Sequence, residues 1–262
     1  MLTATAISKR FGRNLALDSV DFCARPGEIH ALVGENGAGK STLINIFAGR
    51  LRPDGGRAAL DGDVLRTGSA HAALRAGIAA VYQSPMLFER MTWEENLALG
   101  GFGGETTKLH LDEVAAGARS LGGDLGFQLP SAGTTVEKCS MAERVRLEII
   151  RALSFDPRVL ILDEPTGVLA AGELAAFLDL LRRLRAEGRI VVIVTHKLAE
   201  ALAVADRVTV LRHGRLVAER TAAETNEAEL ALMMIGELAP LPHRPLYYHH
   251  EEAPVLEIRG LV

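Results

Sequence analysis

The chain has 262 residues, 48% of them hydrophobic, enough for one large domain or two modest ones with a full core. Its 29 lysines and arginines stand against 33 aspartates and glutamates, a formal charge of −4 that offers no basic surface to nucleic acid. Two cysteines, Cys23 and Cys139, make no disulfide framework or metal-ligand pair. With no secretion signal and no apolar run long enough to span a bilayer, the composition points to a soluble chain in a reducing compartment that reaches a membrane only through a partner.

Residues 1–33 predict short strands with turns at Arg13-Asn14 and Pro26-Gly27. The run Ile29-His30-Ala31-Leu32-Val33 reads as a buried strand. Directly after it, Gly34-Glu35-Asn36-Gly37-Ala38-Gly39-Lys40-Ser41-Thr42 fills the phosphate-loop pattern G-x-x-x-x-G-K-[ST] at every fixed position, and Leu43 to Ala48 continues as an apolar helix. The glycines let backbone N–H groups turn inward around a phosphate, and the helix N-terminus adds partial positive charge. Lys40 is placed to reach the β- and γ-phosphates of a nucleotide, and the Ser41 hydroxyl to ligate Mg²⁺. A glycine-rich connecting turn is the bland alternative, and the Lys-Ser-Thr ending with its flanking strand and helix outweighs it.

Further along, Pro53-Asp54-Gly55-Gly56 and Asp61-Gly62 are turn signals. Ala70 to Ala76 predicts a short helix and Ile78 to Tyr82 a strand. From Thr92 to Leu153 the pattern is mostly helical, with glycine breaks at 100–104 and 122–123. Val159 to Leu162 is a buried strand that runs into Asp163-Glu164-Pro165-Thr166. Beside a phosphate loop, two acids at a strand end complete a triphosphatase site. Asp163 would hold Mg²⁺ through water and Glu164 would polarise the attacking water. Without the loop they would read as two solvated carboxylates. Glu173 to Arg185 is an amphipathic helix closed by Gly188, and Ile190 to Thr195 and Val208 to Leu211 are strands. Strands alternating with helices imply a parallel α/β core. The helical middle, at about 84–150, looks like a subdomain inserted into that core.

Residues 239–254, with four prolines among His, Tyr and Glu, have linker composition; His249-His250-Glu251-Glu252 reads as polar linker rather than metal site. Residues 255–262 form an interrupted strand with the alternation of residues 2–8, as a second copy of the domain would begin. The expected organisation is a domain over 1–238, a linker over 239–254, and the start of a second domain at 255–262.

With these motifs in order, residues 1–238 resemble the ATP-binding cassette family, the nucleotide-binding subunits of transporters. The resemblance implies an α/β fold, a phosphate-loop NTPase core with an antiparallel β subdomain and an inserted α-helical subdomain, and ATP and Mg²⁺ as cofactors. It implies ATP contacts along Gly34, Glu35, Asn36, Gly37, Ala38, Gly39, Lys40, Ser41 and Thr42, with Phe11 stacking on adenine. Gln83, in Val81-Tyr82-Gln83, matches the glutamine that links the metal site to the membrane partner, so Ser41, Gln83 and Asp163 would form the metal side. His196, in Thr195-His196-Lys197, matches the histidine that contacts the γ-phosphate. Lys40, Gln83, Glu164 and His196 would thus carry catalysis. Structural alternatives are a polar loop residue for His196 and a core ring for Phe11.

Residues 69–78, Met86-Leu87-Phe88, Met91 to Leu97, 195–208 and 229–236 look like the bacterial importers of simple sugars and nucleosides, whose ATPase subunits carry two cassettes. That likeness implies a second cassette, transmembrane permease subunits, a solute-binding protein acting indirectly, no nucleic acid, and a peripheral place on the cytoplasmic face of the inner membrane. One motif departs from the pattern. The family's Leu-Ser-Gly-Gly-Gln signature aligns with Cys139-Ser140-Met141-Ala142-Glu143; Ser140 remains able to bind the opposite cassette's nucleotide, but Ala142 replaces the second glycine, and the added Cβ obstructs close approach of backbone to phosphate. The Gly167-Val168-Leu169-Ala170 stretch also lacks the family's acid. Two rivals remain at this point: a soluble twin cassette acting on translation or DNA, against which the compact insertion and proline-rich linker speak, and a nucleotide-binding scaffold with little turnover.

Overall fold

A computed structural model describes residues 1–99, 110–167 and 171–236. Its strands form two sheets. In the first, β1 (Leu2–Phe11), β2 (Asn14–Ala24), β4 (Gly55–Leu60) and β5 (Asp63–Val64) pair antiparallel in the order β2-β1-β4-β5. In the second the order is β10-β9-β3-β8-β7-β6, made by β3 (Glu28–Val33), β6 (Ile78–Val81), β7 (Val159–Asp163), β8 (Ile190–Thr195), β9 (Arg207–Arg212) and β10 (Arg215–Thr221). All of its pairings are parallel except that of the edge strand β10.

The parallel strands read as continuous apolar runs because both of their faces are covered. Side-chain alternation sends Val159, Ile161, Val192 and Val194 to one face and Leu160, Leu162, Val191 and Ile193 to the other. On the first face lies α1 (Lys40–Phe47), whose Leu43, Ile44, Ile46 and Phe47 fill the space between the two sheets with Leu2, Ile7, Leu17 and Phe22. On the second lie α6 (Ala171–Ala186) and the inserted helices α3 (Trp93–Leu97), α4 (Leu111–Asp124) and α5 (Met141–Leu153), packed around Trp93, Leu97, Val145 and Ile150. The remaining helices are α2 (Ala70–Arg75), α7 (Leu198–Val204) and α8 (Glu227–Ile235); the last two cover β3, β9 and β10 through Ala201, Leu230 and Met234. The architecture agrees with the α/β core, antiparallel β part and helical insertion expected from sequence.

Several local expectations shift. The first hairpin turns at Gly12-Arg13, not Arg13-Asn14: Gly12 takes φ 58°, and Asn14 already pairs with Phe11. Gly55 and Gly56 lie inside β4 instead of a turn. Gly122 and Gly123 do not break the helical stretch; they form the last turn of α4, whose end is closed at Gly126 (φ 69°) by Phe127 N–H donating to the Gly122 carbonyl at 2.8 Å. β10 went unmarked because an exposed edge strand shows little apolar alternation. The expected break at 100–104, the stretch 168–170, the linker at 239–254 and the strand at 255–262 lie outside the described residues.

A buried polar line crosses the parallel sheet. His30 is fully buried; its Nδ1 lies 2.8 Å from Glu28 Oε1 and its Nε2 2.7 Å from Thr209 Oγ1, while the Phe22 ring stands 4.7 Å away. Arg207 closes the line by pairing with Glu28 and Glu219.

Candidate nucleotide site

The loop of residues 34–39 leaves the C-terminal end of β3, where neighbouring strands diverge and ligand crevices form in open α/β sheets. Its shape demands glycine at two points. A Cβ on Gly34 would collide with the Leu211 carbonyl. One on Gly39, at φ 107°, would stand 2.5 Å from the Ala16 carbonyl. The loop is braced by Gly214 N–H, which donates to the Ala38 carbonyl at 3.0 Å. Lys40 is buried, and its Nζ donates to the carbonyls of Gly34 (2.7 Å) and Glu35 (3.0 Å), holding the ammonium at the mouth of the loop. Burial lowers its pKa, partly offset by Glu164 and Asp163.

Opposite the loop, β7 ends in Asp163, with Glu164 beyond it. Asp163 Oδ2 accepts from Ser41 Oγ at 3.4 Å. Burial, and then the neighbouring Glu164 charge, push the Asp163 carboxyl above its ordinary range. Glu164 sits at φ 49°, a left-handed conformation that costs energy for a side chain of its size. Its carboxylate bridges two loops: Oε2 accepts from Gln83 Nε2 at 3.1 Å, and Oε1 lies 2.8 Å from His196 Nδ1. The fold thus gathers Lys40, Ser41, Gln83, Asp163, Glu164 and His196 from the ends of four neighbouring strands.

A hydroxyl, a buried carboxylate and a side-chain amide are hard oxygen donors of the kind Mg²⁺ takes. Among the described residues no three His, Cys, Asp or Glu side chains converge as a metal cage, so an ion here would complete its shell with phosphate and water oxygens. The raised Asp163 pKa is the electrostatic counterpart: burial and the Glu164 charge outweigh Ser41 and Lys40, and a carboxylate so placed suits a cation.

The cleft between these groups, about 270 Å³, is lined also by Phe11, Asn36, Gly37 and Thr42, and by Asn14 and Ala16, which sequence reasoning missed. No local signal marks Asn14 or Ala16; they arrive by hairpin register. Phe11 is half exposed at the rim of the cleft, with Lys9 Nζ 5.6 Å from its ring centroid, and is not a core ring. Ser140 does not join the cleft. It is the N-cap of α5, in a reciprocal capping box with Glu143: the Glu143 N–H donates to Ser140 Oγ at 3.2 Å, while the Ser140 N–H and hydroxyl donate to the Glu143 carboxylate at 2.7 and 2.8 Å. These bonds hold Glu143 below its ordinary pKa.

A phosphate cradle at a helix start, a buried lysine and a hydroxyl–carboxylate pair at the adjoining strand define a nucleotide-binding domain of the phosphate-loop class. A family model described as ABC transporter matches residues 17–167, more than half of the chain, and the chain belongs to that family. It is 40% identical over its full length to a ribose import ATP-binding protein of Rubrobacter xylanophilus, of which it covers 52%. It is 37% identical to a putative ribose/galactose/methyl galactoside import ATP-binding protein of Burkholderia ambifaria, covering 51%. The chain spans about half the length of the curated relatives it matches. Among solved structures, a nucleotide-free cassette of an ABC transporter superposes with TM-score 0.77 at 26% identity, over 90% of this chain and 99% of that one. A dimeric bacterial ABC transporter cassette gives 0.76 at 25% identity, over 85% and 99%.

Proposed function

We propose that this domain binds Mg-ATP and hydrolyses it to drive import of a simple sugar through membrane permease subunits. The observation that carries the proposal is the Glu164 carboxylate held between Gln83 and His196 beside the phosphate loop. In that place Glu164 accepts a proton from a water lined up behind the γ-phosphate. His196 orients Glu164 through Nδ1 and presents its other ring nitrogen to the phosphate. Lys40 exchanges the Gly34 and Glu35 carbonyls for the β- and γ-phosphate oxygens, and the phosphate-loop N–H groups hold the β-phosphate. Magnesium, held by Ser41 and Asp163 with Gln83 facing it, would neutralise charge on the phosphate oxygens. Phe11 offers its exposed ring to the adenine.

The sugar assignment and the permease partners follow the names of the relatives, import ATP-binding proteins. A cassette over residues 1–238, a linker over 239–254 and a second cassette opening at 255–262 would agree with a chain half as long as its relatives. The dimeric solved cassette supports pairing. In such a pair Ser140 faces the nucleotide held by the other phosphate loop. Permease subunits would dock in the apolar groove of about 390 Å³ formed by Leu74, Tyr82, Met86, Leu99 and Phe155. Among the described residues no helix is long and apolar enough to cross a membrane, which agrees with a peripheral subunit on the cytoplasmic face.

The test is Glu164→Gln in the assembled transporter. Fluorescent-nucleotide titration should give unchanged Mg-ATP affinity, while phosphate release falls on the order of a hundredfold or more, the scale of losing a general base. Hydrolysis at the unmutated rate would remove Glu164 from the reaction.

A further inference from the structure

The segment after Gln83 is fastened to the signature helix α5 by a closed ring of hydrogen bonds. Met86 N–H donates to Glu148 Oε1 at 2.9 Å, and Arg151 Nη1 donates to the Met86 carbonyl at 2.9 Å. Arg151 Nη2 closes the ring on the same Glu148 oxygen at 2.6 Å. Both backbone groups of one residue are therefore held by an i,i+3 ion pair on one helix. Glu148 is 1% exposed; burial raises its pKa, and Arg151 and the Met86 N–H oppose that shift. Two residues on, Asn96 of α3 holds Phe88 in the same way, accepting from its N–H at 2.7 Å and donating to its carbonyl at 3.0 Å.

Upstream the anchoring is different. The Arg50 guanidinium stacks on Tyr82 at 4.6 Å, which ties the end of β6 to the end of α1. Between these two attachments lies only the bend Gln83-Ser84-Pro85. The inserted helices leave the parallel sheet here, after β6, and return to it between α5 and β7, whose strands are paired neighbours. A displacement of Gln83 would reach Met86 through this short bend, and through Met86 it would reach α5.

We propose that Glu148 and Arg151 are positioning residues: their clamp on the Met86 peptide groups is what makes α5 follow Gln83. The inference rests on the reading of Gln83 as a metal-side residue. The chemistry of the clamp is geometric: two bonds to one peptide unit fix its orientation as well as its position, which a single contact cannot do.

The experiment uses the full ATPase chain in the assembled transporter, with nitroxide labels at the exposed positions His71, on the sheet side, and Glu137, beside the signature. In the unmutated protein Mg-ATP should shift and narrow the label–label distance distribution. In Glu148→Ala and Arg151→Ala the distribution should stay broad, kcat should fall at least tenfold, and Mg-ATP affinity should stay within about threefold, since Lys40, Ser41 and Asp163 are untouched. The double variant should be no worse than either single one, because the three groups act as one unit. Arg151→Lys keeps a positive charge beside Glu148 but lacks the planar fork that holds Glu148 and the Met86 carbonyl through separate nitrogens; it should show the same defect in weaker form, and carries the test if Glu148→Ala does not fold. Turnover and distance response at the unmutated level overturn the proposal, as do equal losses of affinity and turnover with a lowered Tm, the pattern of a merely structural pair. Gln83→Ala is run alongside. If it too behaves as unmutated, the reading of Gln83 falls and the clamp with it. If only the Glu148 and Arg151 variants behave as unmutated, the clamp alone falls.

Discussion

Gly39 shows how one absent atom shapes the site. Its φ of 107° and its contact with the Ala16 carbonyl leave no room for a Cβ. Gly39→Ala must distort the loop or move β2, at a cost on the order of 1–3 kcal/mol from backbone strain. The expected outcome is a lowered Tm together with loss of Mg-ATP binding by titration; a variant that binds Mg-ATP normally would mean that the loop relaxes without opening. Glu164 is the opposite case, a residue held in a left-handed conformation where glycine would be easier. Its side chain meets both Gln83 and His196 from there, so the strain coincides with the one carboxylate that bridges the site.

At the scale of an element, β3 carries both the phosphate loop and the buried His30. Burial lowers the His30 pKa below its ordinary 6.5, with Glu28 opposing and Arg207 and Arg25 adding to the shift. For Glu28, burial raises the pKa, but the bond from His30 and the charges of His30 and Arg207 outweigh it, so the net shift is downward. The unfolded chain therefore takes up a proton on histidine at a pH where the folded chain does not. Stability from this group is complete above the unfolded value and is lost as pH falls below it, toward the folded value. The lowered Glu28 pKa acts in the same direction, further into acid. Urea midpoints should fall between roughly pH 7 and pH 5, and His30→Gln should flatten that slope while lowering the midpoint at neutral pH. An unchanged slope in the variant would assign the acid sensitivity to other groups. The N-terminus of α5 is satisfied within itself by the Ser140–Glu143 box, so its hydroxyl must exchange a carboxylate partner before it can meet a phosphate.

At the scale of the whole molecule, the domain presents two unequal halves. On the proposed reading, the groups around Lys40 form one full half-site, whereas the edge at the start of α5 carries an exposed Met141 and a partly buried Ala142 at the positions read as the signature glycines. The proposed consequence is that the site built on Lys40 turns over faster than the site this edge closes. In the two-cassette protein, disabling Lys40 should remove most ATPase activity and transport. Disabling the corresponding lysine of the second cassette should be tolerated better, and Ala142→Gly should raise the weak site. Equal losses from the two lysine variants, measured as phosphate release and sugar uptake, would show that the loop closes over Ala142 without hindrance.

What the sequence determined by itself is the chemistry that lies within a few contiguous residues. The phosphate loop, its strand and its helix span Ile29 to Ala48, so their geometry is local and their residue types are dictated by it. The same holds for Asp163 and Glu164 at the end of an apolar strand, and for the parallel core implied by strand–helix alternation. The tertiary structure decided what depends on register between distant segments. Glu164 meets Gln83 from 81 residues away and His196 from 32. Met86 meets Glu148 across 62, and His30 meets Thr209 across 179. Asn14 and Ala16 reach the cleft through the register of the first hairpin, and Gly122 and Gly123 stay helical, the helix ending before Gly126 instead. Side-chain type sets what a residue can do, but which partner it meets is set by strand order and packing, to which no run of neighbouring residues is sensitive.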